Sequence, residues 1–453
     1  MFVDVCQSQV SLSEAETVKE WDALIRAFLA HGTEAPVHLG RVLEREPGFA
    51  MAHAAKSLFS MMMGRRELVD VARDAARAAR QALAAGGATK RERLWVDAAE
   101  AWLKGKPSAA IGCMEAALRL NPADTFSMKV SHAIRFILGD SRGMRRSIER
   151  VIGAHDDSHV LNGYAHGCYA FALEETGDYQ AAEAAGLRAL RSAGDDAWGM
   201  HAVAHVYDMT HRPDQGIDLI ENNTAAWDHC NNFRFHVWWH KALLHLDRGE
   251  YDLVLGLYDT CIRHEKTDDY RDFSNASSLL TRLELDGIDV GQRWGELADL
   301  AESRSDDGCL VFADLHYMLA LAGDNRTDAA TRLVARVARD AHGTSDMAAV
   351  MDDPGRLAAS GLAYFGEGRY DLAYQHLSSA QPRFQDMGGS HAQRDVFERV
   401  TIDAALRAGR LEAAGQLIVS RVNLRKGATD TFAASRLRTI AEAREINQMV
   451  AAE

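Results

Sequence analysis

Proline is scarce in this chain, seven in 453 residues, while Ala, Leu, Arg and Glu are abundant. That balance favours helices and leaves little room for a sheet. Cysteines are few and scattered: Cys6, Cys113, Cys168, Cys230, Cys261 and Cys309 form no CxxC pair. A disulfide framework is thereby excluded in favour of reduced thiols and a cytoplasmic protein. No apolar run reaches the roughly 18 residues of a spanning helix. The N-terminus lacks the basic start and apolar stretch of a secretory signal. Positive charge is also in deficit. The net charge of -14 argues against general affinity for nucleic acid or anionic membranes, which require a positive field. There is no Walker A loop, no strand-linked G-x-G-x-x-G and no G-x-S-x-G elbow, so nucleotide-dependent and serine-hydrolase chemistry find no support.

What the chain does have is a repeat. With 47% hydrophobic and 26% charged residues it can bury a substantial core. A short turn of glycine, a polar residue and an aromatic or apolar one recurs between helical patterns, at Gly105, Gly139, Gly177, Gly249, Gly368 and Gly409. "THRPDQG" is a degenerate copy with His211 in the glycine's place. Ala110, Ala182, Ala373 and Ala414 follow five residues after a turn, and Ala117, Ala189 and Ala380 follow twelve after. This is the pattern of tetratricopeptide repeats, in which paired helices meet at a turn and small residues let them approach. The expected fold is an all-α, irregular superhelix of helical hairpins, compact around a central groove. Capping helices would occupy residues 1–45, repeats 46–425 and a C-terminal capping helix 426–453. The pattern is weakest over 250–330, and no linker rich in Ser, Pro or Gly divides the chain.

The conspicuous feature lies in "HAVAHVYDM" and "HVWWHKALLH". His201 and His205, then His236 and His240, are each four residues apart and so share a helix face. In repeat register they fall at positions 5, 9, 2 and 6 of their A helices, a stripe expected to line the concave groove. Neighbouring helix axes lie roughly 8–10 Å apart, which lets the two pairs face one groove. Asp208 and Glu175 would be polar partners, and Trp239, Trp95, Trp102, Lys129 and Phe136 further groove residues. Asp314 and His316 in "FADLHYM" are added as ligand-binding candidates, although two-residue spacing sends them to different faces.

These motifs resemble the tetratricopeptide repeat protein 38 family. The likeness is carried by "HAVAHVYDM" (201–209), "HVWWHKALLHLDRGEYDLVLGLYD" (236–259) and "GGSHAQRDVF" (388–397), with weaker pieces over nearly the full length. The resemblance implies the all-α fold. The family's HAVAH and His-x-x-Trp-His patterns map onto His201, His205, His236, Trp239 and His240. The family usually has Glu where this chain has Asp208, and it does not require a histidine at position 391. The resemblance implies no particular activity.

Imidazoles at i and i+4 with one or two carboxylates suit a divalent transition metal such as zinc, manganese or iron. The metalloprotease motif H-E-x-x-H is absent, because Ala202 and Val237 stand where its Glu would be. Asp208 or Glu175 would then serve as base. The same histidines also fit a metal-free pocket for general acid–base work, or simply a polar groove in which they bond one another, backbone or water. Ser390 beside His391 reads as a helix N-cap, while Arg394 and Asp395 would pair with neighbouring repeats. His229, His245 and His264 read as surface or packing residues. The resulting expectation is a small organic ligand bound in a His-rich aromatic pocket, with hydrolase- or lyase-like chemistry open to it. The alternative is a scaffold that grips a peptide or protein segment.

Overall fold

In the computed structural model, which describes residues 2–452, helix follows helix from Ala15 to Ala452. The sheet content among these residues is one two-stranded antiparallel ladder, Phe2–Val3 against Gln9–Val10. The fold is all-α and tetratricopeptide-like, as the repeat implies. No described helix is long and apolar enough to cross a membrane, and all six cysteines are free thiols.

The repeat turns explain how the hairpins form. All six turn glycines have positive φ, and His211 takes φ 53° in the degenerate copy. After Gly177, the Asp178 N–H donates to the Leu173 carbonyl at 2.9 Å. After His211, the Arg212 N–H donates to the Tyr207 carbonyl at 2.8 Å. Both are six-to-one closures around a left-handed residue, which reverses the chain and satisfies the last carbonyls of the helix. A side chain in that conformation costs roughly 1–2 kcal/mol; His211 carries one and sets its Nδ1 2.6 Å from Asp247 Oδ2. The small residues of the pattern lie where the paired helices touch: Ala110, Ala182, Ala373 and Ala414 are completely buried. In the weakly patterned stretch the turns fall at Gly287 and Asn325, both with positive φ. Gly323, just before the latter, has a packing role instead: a Cβ there would lie 2.5 Å from the Trp294 ring.

The chain divides into two compact units. The first comprises Met1–Val203, Asn222–Arg234 and Gly343–Ala349. Its core packs Trp21 against Phe49 and Phe126, with ring centres 4.9 and 5.6 Å apart. Buried Arg91 reaches Asp4, in the turn between the two strands, and Asp124 at the start of Thr125–Ile137, fastening the first residues to the repeats. The returning segment Gly343–Ala349 docks through Asp346, which accepts from the Ser108 N–H at 2.9 Å.

The second unit comprises Ala204–Glu221, Phe235–His342 and Val350–Glu453. Phe273 meets Tyr317 edge-on at 4.9 Å within it. The last helix, Thr431–Ala452, is held by Arg436, which bonds Asp286 at 2.6 Å and Asp403 at 3.0 Å.

Candidate functional site

Two helices carry the histidine pairs. Ala197–Met209 begins at Asp196, whose carboxylate accepts from the Gly199 N–H at 3.2 Å, and ends at the His211 turn. Phe233–Asp247 begins after Asn231, whose side-chain oxygen accepts from the Phe233 N–H at 3.0 Å. A third helix, Tyr270–Leu285, completes the site in the second unit by supplying Asn275 and, two turns on, Arg282.

Within that unit three imidazoles converge. The rings of His205 and His240 are 4.4 Å apart, and those of His236 and His240 are 4.6 Å apart and nearly perpendicular. The Nε2 atoms of His236 and His240 approach to 3.1 Å. One ligand atom of each of His205, His236 and His240 lies within 4.8 Å of the others. Asn275 settles a tautomer: its Oδ1 accepts from His236 Nδ1 at 2.9 Å, which leaves the Nε2 lone pair of His236 directed at His240.

Burial pushes the pKa of His236 down to about 3, against the help of Asn275, with His205 and Arg271 adding to the fall. Burial likewise takes His240 well below the ordinary imidazole value, aided by His205, His236 and Arg282. Both rings are therefore neutral at pH 7, the form that ligates metal. Trp239 stacks on His236 at 5.2 Å, and the Arg282 guanidinium lies 5.6 Å from the Trp239 ring centre. Arg282 is 1% exposed and donates to the Ala392 carbonyl at 2.6 Å; burial draws its pKa down to about 9, so it stays charged.

His201 sits one turn before His205 on the same helix and belongs to the first unit. There it is caged by Phe171, Trp198 and Phe233, with ring centres 5.6, 5.0 and 5.3 Å away. Lys129 lies over the Trp198 ring at 4.2 Å, and Phe136 meets Trp198 edge-on.

Other expected residues are placed differently. Trp95 and Trp102, read as groove walls, are instead packed into the hydrophobic core of the first unit, where Trp95 donates to Ser127 Oγ at 2.9 Å. Tryptophans at helical spacing serve burial there, because each ring removes a large apolar area from water. Asp208 is held by Arg425, whose Nη2 bonds its Oδ1 at 3.2 Å and its carbonyl at 2.5 Å, so it is an ion-pair partner rather than a free base. Glu175 is buried at the end of Asn162–Glu174 in the first unit. Asp314 and His316 diverge as their spacing requires. Asp314 pairs with buried Arg336, while His316 Nδ1 donates to the Phe312 carbonyl at 2.7 Å and its ring meets Phe397.

Ser390 is an N-cap with a complete capping box. His229 and His245 have packing partners, the Ala30 carbonyl and Glu250. Sequence reasoning missed Asn275, Arg282, Trp198 and Phe233. No local signal singles out the first two, which sit among other polar residues of "YRDFSNASSLLTRLEL".

No protein-family model matches the chain. Among solved structures it is similar to the human IFIT1 dimer with PPP-AAAA, at 13% identity over 96% of each chain and a TM-score of 0.44. It is also similar to yeast Tom70, at 12% identity over 96% of each chain and a TM-score of 0.28. The TPR domain of P58(IPK) is 14% identical over 87% of this chain and 99% of that one, with a TM-score of 0.19.

Proposed function

We propose that His205, His236 and His240 hold a divalent transition metal, and that the site binds a small organic ligand and acts on it by hydrolysis or elimination. The observation that carries this reading is the approach of two neutral imidazoles, Nε2 to Nε2, at 3.1 Å beside a third ring. Metal–nitrogen bonds of about 2.0–2.1 Å in a tetrahedral site set neighbouring nitrogens about 3.3–3.4 Å apart. The pair needs to part by only a few tenths of an ångström.

When bound, such an ion supplies Lewis acidity toward a carbonyl or water. The chain's own residues orient and enclose the ligand. Asn275 fixes the His236 tautomer, and Trp239 offers an apolar wall stiffened by Arg282. We also read the chain as a relative of the tetratricopeptide repeat protein 38 family, on the motifs at 201–209 and 236–259, and as cytoplasmic, on its scattered cysteines.

Metal content by plasma mass spectrometry tests the proposal, using untagged protein beside a His236→Ala/His240→Ala variant. Near-stoichiometric zinc, manganese or iron that disappears in the folded variant supports a metal centre. Absence of metal from wild-type protein grown with all three ions would overturn it. The 3.1 Å contact would then be a plain imidazole–imidazole hydrogen bond, and ligand-induced thermal shifts would separate a metal-free pocket from a peptide-binding scaffold.

A further inference from the structure

The connection 152–161, between the helices Ser141–Val151 and Asn162–Glu174, lies on the surface of the first unit yet is pinned by two buried histidines. Asp156, Asp157, Ser158 and Val160 are exposed around them, whereas His155 is 0% and His159 3% exposed. Both rings reach the turn that leads into the helix Thr125–Ile137, and their centres are 4.7 Å apart.

Each ring is bonded as a neutral imidazole, one nitrogen donating and the other accepting. His159 Nε2 faces the Ala123 carbonyl at 3.1 Å and must donate, while its Nδ1 accepts from the Leu161 N–H at 3.1 Å. A backbone N–H cannot turn away, so a proton on that Nδ1 would set two donors against each other. His155 Nδ1 donates to the Val151 carbonyl at 3.1 Å, and its Nε2 accepts from the Thr125 hydroxyl at 3.0 Å. That hydroxyl can rotate, so at His155 the obstacle is a charge enclosed beside a second imidazole.

The surroundings act in the same sense. Burial is the main cause that takes His155 down to about 4; His159 and His166 add to the fall, against the Val151 carbonyl and Asp124. Burial also lowers His159, against the Ala123 carbonyl and Asp156. Of the nearby acids, Asp124 is already engaged by Arg91 and Ser127, and Asp157 by Arg188. His166, on the following helix, is itself lowered by burial and by Arg188, with Asp157 opposing.

We propose that His155 and His159 form an acid-released latch, which closes the connection 152–161 onto the Ala123 turn and pins the start of the Asn162–Glu174 helix at Leu161. Once the connection opens, both rings regain water and the ordinary imidazole value of about 6.5. Protons therefore favour the open form. The closed form keeps its full stability above about pH 6.5 and loses it as the pH falls toward the closed-state values, by up to about tenfold in the opening equilibrium for each ring per pH unit. The helix anchored at this point carries Phe171, whose ring packs on His201. The latch thus sits on an element that builds the ring cage around His201.

Amide hydrogen exchange read by mass spectrometry on the full chain tests this between pH 7.5 and 5.0, corrected for the intrinsic exchange rate. Protection of the segment 152–165 should fall by roughly tenfold or more between pH 6.5 and 5.0, while the helix Thr327–Asp340 serves as an unaffected reference. His159→Asn keeps an amide oxygen for the Leu161 N–H, and His155→Gln keeps one for the Thr125 hydroxyl, yet neither titrates. Each single variant, folded by circular dichroism, should show about half the wild-type response on a logarithmic scale, and the double variant none. Wild-type protection that does not change with pH would overturn the proposal on its own. An undiminished response in either folded single variant would also overturn it and reassign the acid sensitivity to Asp124, Asp156 and Asp157.

Discussion

His236 and His240 place their Nε2 atoms 3.1 Å apart inside the second unit, and Asn275 holds the far nitrogen of His236 at 2.9 Å. The contact is built by one turn of helix within the pair and by an amide from another helix. Its consequence is a lone pair with a fixed direction in a buried site.

If that direction serves a metal, Asn275→Ala should keep the helix but release the ring. Loss of a partner that orients a ligating histidine typically costs 10–100-fold in metal affinity. Competition against a chromophoric chelator would measure it. Unchanged affinity in folded protein would show that Asn275 does not orient the site.

Gly323 is pressed against Trp294, with a built Cβ 2.5 to 2.9 Å from three ring atoms. Gly323→Ala gains up to about 1 kcal/mol of helix propensity but forces the indole to shift, at about 1–3 kcal/mol. A net loss of stability is expected in urea unfolding. A stabilised variant would mean that the ring yields freely.

Asp196 is buried at the start of the His201 helix, and burial is the main cause that raises its pKa to about 7. Its folded value exceeds its unfolded one, so the folded state holds the proton more tightly. Asp196 therefore contributes stability below about pH 4 that is lost progressively as pH rises toward 7, at no more than roughly 1.4 kcal/mol per pH unit. Asp196→Asn should flatten that part of the stability curve and gain on wild type as the pH is raised. Chemical denaturation at pH 5 and pH 7.5 would show it; parallel curves would refute it.

Asp430 behaves in the opposite sense. Burial resists its charge, but Arg421, Arg399 and Arg425 outweigh burial and hold its pKa far below the usual carboxylate range. Its contribution is present above about pH 4 and fades as pH falls through the folded value. Asp430→Asn should cost about 3–5 kcal/mol near neutrality, because it leaves buried guanidinium groups without their counter-charge. The penalty should shrink in strong acid. A penalty independent of pH would assign the loss to packing.

Much of the fold was legible because turns and close helix contacts are local demands. The turns were read at Gly177 and even at His211, and both residues take the left-handed conformation, since the surrounding repeat requires the reversal whatever residue stands there. Register became unreadable over 250–330, where turns fall at Gly287 and Asn325 outside the regular spacing and glycines such as Gly323 serve packing. The site was half legible. Four-residue spacing declares that two histidines share a face, but no local rule states what a third helix brings, so Asn275 and Arg282 were not anticipated.

By itself the sequence determined the helical hairpins, their turn positions and the facing of each histidine pair, because helix period and chirality are short-range physics. Only the tertiary structure decided that Trp95 and Trp102 became core, and that Asp208 answers to Arg425 instead of an imidazole. Those outcomes depend on residues brought together from as far apart as Asp208 and Arg425, and on the low dielectric that burial creates around them.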